Sequence, residues 1–427
     1  MFDSTVSGTP APSLPELRAM LARLASLDGA GASQAELVDQ LTAMEQLKSS
    51  LAAAQARVTA TLAATRSRAE AAAGVPAVDR CRGLAAEIAL ARHDSPVRGN
   101  QHLGAALALV QEMPDTHAAL TRGEISEYRA TLMVKETALL SRAHRRQVDA
   151  ELAGRLTTLG DRAVAAAART IGYRLEPGSV LRRTRGARSD RHVGLRPAPD
   201  TMSYLTGFLP VEQGVACQVA LERHADTLRS RGDQRSRGQI IADTLVERVT
   251  GQATADRVDT EIQLVITDQT LLGDRDDPAH ISGYGPIPAV VARGIIRTAD
   301  RAWIRRLFTT PDRSALVAMD SARRTFAGGL RRFLITRDAV CRTPWCDAPI
   351  RHLDHIVPTT QGGRTSADNG QGLCEACNYA KEAPGWRAQR PPGTAPEVET
   401  TTPTGHHYRS RAPAPPGHRV DVFVLAA

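Results

Sequence analysis

The stretch from Cys341 to Lys381 reads CRTPWCDAPIRHLDHIVPTTQGGRTSADNGQGLCEACNYAK. It holds four of the chain's six cysteines, as Cys341-x4-Cys346 and Cys374-x2-Cys377, with 27 residues between the pairs. Two such knuckles are what a tetrahedral four-thiolate zinc site requires, each turn presenting two thiolates to one ion. A redox CxxC would account for the second pair and leave the first without a purpose. Four thiolates leave no open position on the metal, so zinc here is a staple and not a catalyst. A segment this short could not fold on its apolar core alone, and zinc binding supplies the missing free energy.

Between the knuckles, Ile350 to Val357 reads as a strand ended by Pro358, and Gln361-Gly-Gly-Arg-Thr365 allows a tight reversal. The segment 372–382 reads as a second short strand running into a helix. The layout is β-β-α with zinc at its base. His355 and Asp354 lie on the first element, Asn378 and Lys381 on the helix. Phosphodiester hydrolysis needs a base to deprotonate water and a divalent cation on the scissile phosphate. A neutral imidazole suits the first task near pH 7. A carboxylate and an amide oxygen are hard ligands that suit Mg²⁺. Strict strand alternation sends Asp354 and His355 to opposite faces, so both serve one site only if the strand bulges or ends there. His352, three residues earlier, reads as structural.

This run resembles the HNH endonucleases, the zinc-stapled branch of the ββα-metal nucleases, over residues 336–388. The resemblance implies that His355 is the general base and that Asp354 and Asn378 bind a catalytic Mg²⁺ or Mn²⁺. It implies that Asn369 ties the loop and orients the base, and that Cys341, Cys346, Cys374 and Cys377 bind structural Zn²⁺. Lys381 reads equally as a phosphate contact or a helix-surface lysine. By the same resemblance the substrate is nucleic acid, double-stranded DNA in the first place. Further stretches (LLGDRDDPAHISGYGPIP, FLITRDAVCRTPWC and PTGHHYRSRAPAPPG) are similar to actinobacterial HNH proteins with a long N-terminal domain of unknown function. They assign no chemistry, and His406 and His407 are given no role.

Outward from this module, Ser33-Gln-Ala-Glu36 is a capping-box signature followed by apolar residues at helical spacing. It predicts a long helix to about Ala72, with further helices over 80–93, 100–113, 115–122, 125–141, 143–156 and 160–173. Residues 1–13 read as a disordered leader and 14–176 as a helical domain. Residues 177–191, crowded with Arg182, Arg183, Arg185, Arg188 and Arg191, read as an exposed basic connector. Residues 192–335 read as a mixed α/β region, and 389–427 as a Pro-rich, mostly irregular tail. The expected fold is mainly α with a mixed α+β middle region and a C-terminal ββα-metal module.

The chain has 427 residues, a net charge of +8 and a pI near 9.5, a modest excess that favours polyanionic partners. Arg323, Arg324, Arg331, Arg332, Arg337, Arg342 and Arg351 lie just upstream of the module or inside it, and phosphate contact is their expected use. Aromatics make up 4%, so the cores are expected to be built of Ala, Leu and Val. Cys81 and Cys217 are expected to be buried small hydrophobes. No apolar stretch is long enough to span a membrane, and no signal peptide is evident, which places the expected location in the cytoplasm. The function expected is metal-dependent DNA cleavage. The alternative is a zinc-stabilised, non-catalytic DNA-binding or regulatory protein, against which the trio His355, Asp354 and Asn378 argues.

Overall fold

Among the described residues, serine N-caps set the starts of five of the eight N-terminal helices. The computed structural model describes residues 12–178, 186–255, 264–273, 275–298, 309–310, 313–316, 326–391 and 397–413. Ser33 Oγ accepts from the Glu36 amide at 3.3 Å, and the Glu36 carboxylate accepts from the Ser33 amide at 2.7 Å. This reciprocal pair satisfies two donors that the first helical turn leaves open, and α2 (Gln34–Ala72) runs unbroken from it. Around α2 stand α3 (Leu84–Ala91), α4 (Pro96–Glu112), α5 (Pro114–Thr121), α6 (Glu127–Glu136), α7 (Arg142–Leu152) and α8 (Asp161–Leu175), while α1 (Leu14–Ala25) precedes it and buries none of its residues. The helices expected between 33 and 173 are present, with ends shifted by a few residues. Their shared core is Ala52, Ala53, Leu109, Met113, Met133 and Leu152 with similar neighbours, aliphatic as the composition required. Residue 99 must be glycine for α4 to lie against α3, because a Cβ there would stand 2.1 Å from the Ala85 carbonyl oxygen.

The middle region is mixed, as expected. A hairpin of β1 (His192–Pro197) and β2 (Ser203–Phe208) precedes a helical pair, α9 (Val211–Ser230) and α10 (Arg237–Thr250). A small antiparallel sheet follows, β3 (Leu264–Val265), β4 (Ala279–Ile281) and β5 (Gly285–Ile287), with α11 (Asp268–Leu272) and α12 (Ala289–Thr298) beside it. The strands β6 (Thr309–Thr310) and β7 (Arg313–Leu316) form a further pair. Cys217 is exposed on α9 and Cys81 only half-buried, which corrects the expectation that both are core residues. Of the basic connector, Arg182, Arg183 and Arg185 lie outside the described residues. Arg188 and Arg191 are exposed, Arg188 pairing with Glu212 at 2.5 Å.

The C-terminal module begins with α13 (Gly328–Asp338), then β8 (His352–His355), β9 (Gly370–Leu373) and α14 (Glu375–Lys381). The β-β-α order is the expected one. Within the described part of the tail, expected to be mostly irregular, there is regular structure: β10 (Arg387–Gln389), β11 (Glu397–Thr401) and β12 (His407–Arg411) form a three-stranded antiparallel sheet. Sequence reading missed it because prolines flank strands whose pairing is held by ions. On β11, Glu397 accepts from Arg411 at 2.9 Å and Glu399 from Arg409 at 2.8 Å. The module sits on the helical domain at α3 and α4. Glu87 of α3 accepts from the Thr404 hydroxyl and from Arg66 at 2.7 Å, while Trp345 stacks on His93 with ring centroids 4.2 Å apart. Among the described residues no helix is long and apolar enough to cross a membrane.

Candidate active site

The first knuckle is shaped by its backbone. The Cys341 amide donates to the Ala348 carbonyl at 2.9 Å, the Cys346 amide donates to Thr343 at 3.1 Å, and Trp345 turns the chain with a positive φ of 59°. The second knuckle is the start of α14, where Cys374 is the N-cap and its sulfur accepts from the Cys377 amide at 3.4 Å. These turns bring four buried sulfurs within 4.8 Å of one another, with Cys346 and Cys374 at 3.7 Å. Tetrahedral Zn–S bonds of about 2.3 Å imply sulfur–sulfur edges of about 3.8 Å. The donor set and its spacing therefore suit a structural zinc ion. The sulfurs also perturb one another in opposite directions: hydrogen bonding among them lowers the Cys341 and Cys374 thiols and raises those of Cys346 and Cys377.

Strand β8 pairs antiparallel with β9, so that Asp354 faces Gln371 and His355 faces Gly370. Alternation is kept to the end: Asp354 and His355 leave opposite faces, and the strand stops at His355 without a bulge. On one face the His355 ring lies on Phe326, centroids 4.6 Å apart, and its Nε2 is 2.9 Å from the buried Thr365 hydroxyl. Residue 370 is glycine because a Cβ would strike Leu334 at 2.5 Å and Phe326 at 2.8 Å, the second of which lies against that ring. On the other face Asp354 meets α14, where Lys381 Nζ donates both to its carboxylate and, at 2.6 Å, to the His355 carbonyl. One ammonium thus ties together the two residues that alternation parts.

Asn369 holds the loop that follows β8. Its Oδ1 accepts from the Val357 amide at 2.9 Å, and its Nδ2 donates to the carbonyls of Val357 and Arg364 at 3.0 and 2.9 Å. Asn378 stands half-buried on α14, and its side chain has no hydrogen-bond partner among the described residues. Asp354 and Asn378 together offer one carboxylate and one amide oxygen, a hard donor pair that fits Mg²⁺ or Mn²⁺. The Lys381 ammonium already stands on that carboxylate and competes for it.

The arginines divide into two groups. Arg337 and Arg342 are buried, which corrects their assignment to phosphate. Arg337 donates to Asp338 at 2.7 Å and to the carbonyls of Ala367 and Gly370 at 2.6 and 2.8 Å. Arg342 lies 3.4 Å from the same Asp338 and donates to the Ser410 carbonyl at 2.8 Å. Burial pushes the Arg342 guanidinium down to about 10. Asp338, with no exposure at all, completes the network by accepting from the Gly372 amide at 2.7 Å. Such a network positions β9 and leaves no guanidinium face for a polyanion. Lys381 is likewise engaged within the protein. Arg331, Arg332 and Arg351 are exposed and remain available to phosphate, while Arg323 and Arg324 lie outside the described residues. Thr365, Phe326 and Asp338 were not singled out from sequence. The only signal was an acid directly after Arg337 in a basic helix.

Comparison with known families adds two matches. The family described as a domain of unknown function, DUF222, matches residues 40–338, and the one described as HNH endonuclease matches residues 340–383. The first match alone covers more than two thirds of the chain. The chain belongs to the DUF222 family. Its DUF222 region runs from α2 to the end of α13, and its HNH domain begins two residues later and spans both knuckles, β8, β9 and α14. At family level the HNH domain suggests nuclease activity and a nucleic-acid partner. No curated protein and no solved structure matches the chain.

Proposed function

We propose that this DUF222–HNH protein is a metal-dependent endonuclease that hydrolyses phosphodiester bonds in double-stranded DNA. The observation that carries the reading is the end of β8, where an imidazole held by Thr365 and Phe326 directly follows a carboxylate facing the Asn378 helix. His355 takes the proton of the attacking water, a role for which a neutral imidazole is suited near pH 7. Asn369 keeps the backbone after His355 in place, and Thr365 fixes the ring's rotation, so the base needs no reorganisation during the reaction. Asp354 and Asn378 would hold Mg²⁺ or Mn²⁺. A divalent cation supplies charge stabilisation on the phosphate oxygens. Arg331, Arg332 and Arg351 hold the backbone of the substrate, and cytoplasmic DNA is the expected target.

A second reading draws on Lys381, whose ammonium already neutralises Asp354. Under it the protein is a zinc-stabilised, non-catalytic DNA-binding or regulatory protein. Supercoiled plasmid incubated with the full chain and Mg²⁺ or Mn²⁺ separates the two. The nuclease reading predicts nicked or linear product that is lost in Asp354→Asn and Asn378→Ala. Plasmid that is retarded on a gel but never cut, over a range of cation concentrations, supports the second reading.

A further inference from the structure

Helix α2 is apolar on two faces. One face enters the core through Ala52, Ala53, Ala56, Thr59, Ala60 and Ala63. At 100° per residue these positions cluster on one side of the helix. The opposite side carries Leu37, Met44, Leu47, Leu51, Ala54 and Val58, at the alternating three- and four-residue spacing of a coiled-coil seam, save one step of seven between Leu37 and Met44. That second stripe faces solvent: Leu47 is 56% exposed, Leu51 54% and Val58 69%. Singly exposed leucines need no explanation, but a continuous seam along more than twenty residues does.

The charges on the same helix say what covers it. From 34 to 47 the helix carries Glu36, Asp39 and Glu45 and no base. From 48 to 68 it carries Lys48, Arg57, Arg66 and Arg68 and no acid. Arg66 is committed to Glu87, Lys48 meets Glu45 at the boundary at 2.8 Å, and beyond it Arg57, which donates to the Thr121 hydroxyl at 3.2 Å, and Arg68 are exposed. Parallel pairing of two such helices would set acid on acid and base on base. Antiparallel pairing sets each acidic half over a basic half, and a two-fold axis satisfies both halves at once.

We propose that the protein is a two-fold symmetric dimer in which α2 packs antiparallel on α2 of a second copy, the helices crossing near Leu47 and Leu51. The occupant of the stripe is this chain itself, because its own charge pattern is the complement of the one it presents. The pairing would join two HNH modules in one particle.

Sedimentation equilibrium of the full chain tests this first. The expected result is twice the chain mass of 45.8 kDa, falling to the monomer mass in Leu47→Glu/Leu51→Glu with zinc content and helicity unchanged. Orientation is read by spin labels at Glu36→Cys in a Cys217→Ser background. Antiparallel pairing sets the two labels about 40 Å apart, from a rise of about 1.5 Å per residue, whereas parallel pairing sets them about 10 Å apart. Two charge variants complete the test. Glu36→Lys/Asp39→Lys/Glu45→Lys and Lys48→Glu/Arg57→Glu/Arg68→Glu should each be monomeric alone and dimerise when mixed. A monomeric wild type, a dimer that survives Leu47→Glu/Leu51→Glu, a short label distance, or loss of the dimer only in Leu21→Glu of α1 would each overturn the proposal.

Discussion

Asn369 clasps Val357 from both sides, its amide oxygen 2.9 Å from the Val357 nitrogen and its amide nitrogen 3.0 Å from the Val357 oxygen. This bond pair pins the chain two residues beyond His355, where β8 has ended and no ladder partner remains. Asn369→Asp keeps the acceptor and removes both donors, so the clasp opens on one side. The expected cost is about 1–3 kcal/mol in unfolding free energy, with a loss of about a hundredfold in cleavage from a misplaced base. Chemical denaturation and plasmid cleavage on the same preparations check both. Unchanged cleavage would show that the loop is held by other means.

Arg337 is expected to act on stability and not on DNA. Arg337→Met leaves the buried Asp338 carboxylate with half its hydrogen bonds, at a cost of about 3–5 kcal/mol. Where the variant remains folded, the salt dependence of DNA retention should keep its slope. Arg331→Ala, Arg332→Ala and Arg351→Ala should each reduce that slope by about 0.9 with little effect on stability. A reversal of the two patterns would return Arg337 to the phosphate contacts.

Chelation should unfold part of the molecule. Zinc in a four-thiolate site contributes about 10–16 kcal/mol of apparent folding free energy, and besides it β8 and β9 have only the small cluster around Phe326, Leu330, Phe333 and Leu334 and the Arg337–Asp338 network. Removing the metal, or Cys346→Ser, should abolish hydrogen-exchange protection at Gly370–Leu373 while α2 to α8 keep theirs. Protection that survives complete zinc removal would contradict the staple.

Glu87 makes the seat of the module pH-sensitive. Burial raises its pKa, but hydrogen bonds from Thr404 and Arg66 outweigh burial and hold the carboxyl below its ordinary value of 4.5. A lowered folded pKa means that this stabilisation is fully present above the ordinary carboxylate value and is lost as pH falls through the folded one. Tryptophan fluorescence reports the seat, since Trp345 stacks on His93 and Trp386 lies against Gly83. The emission should change on acidification below about 4.5, where unperturbed carboxyls protonate, and Glu87→Gln should remove that component. Identical titrations in the two proteins would mean that other carboxylates release the module.

How much of this was legible in the sequence follows from which interactions are local. The capping box at Ser33, the paired cysteines and the β-β-α order are short-range patterns, and the structure keeps each. The loop-tying role of Asn369 entered through the resemblance, and its bonds agree with it. What sequence could not show is long-range partnership. Arg337 and Arg342 look like any basic residues until Asp338, Gly370 and Ser410 are brought round them. The tail strands β11 and β12 are hidden among prolines because ion pairs, not apolar alternation, hold their register. Thr365 meets His355 only because Asn369 folds the loop back.

The most direct test of the account is plasmid cleavage by the full chain beside His355→Ala, with zinc content measured in both. The account predicts cation-dependent cleavage by the wild type and none by a folded, zinc-loaded His355→Ala. Equal cleavage by the variant would contradict it.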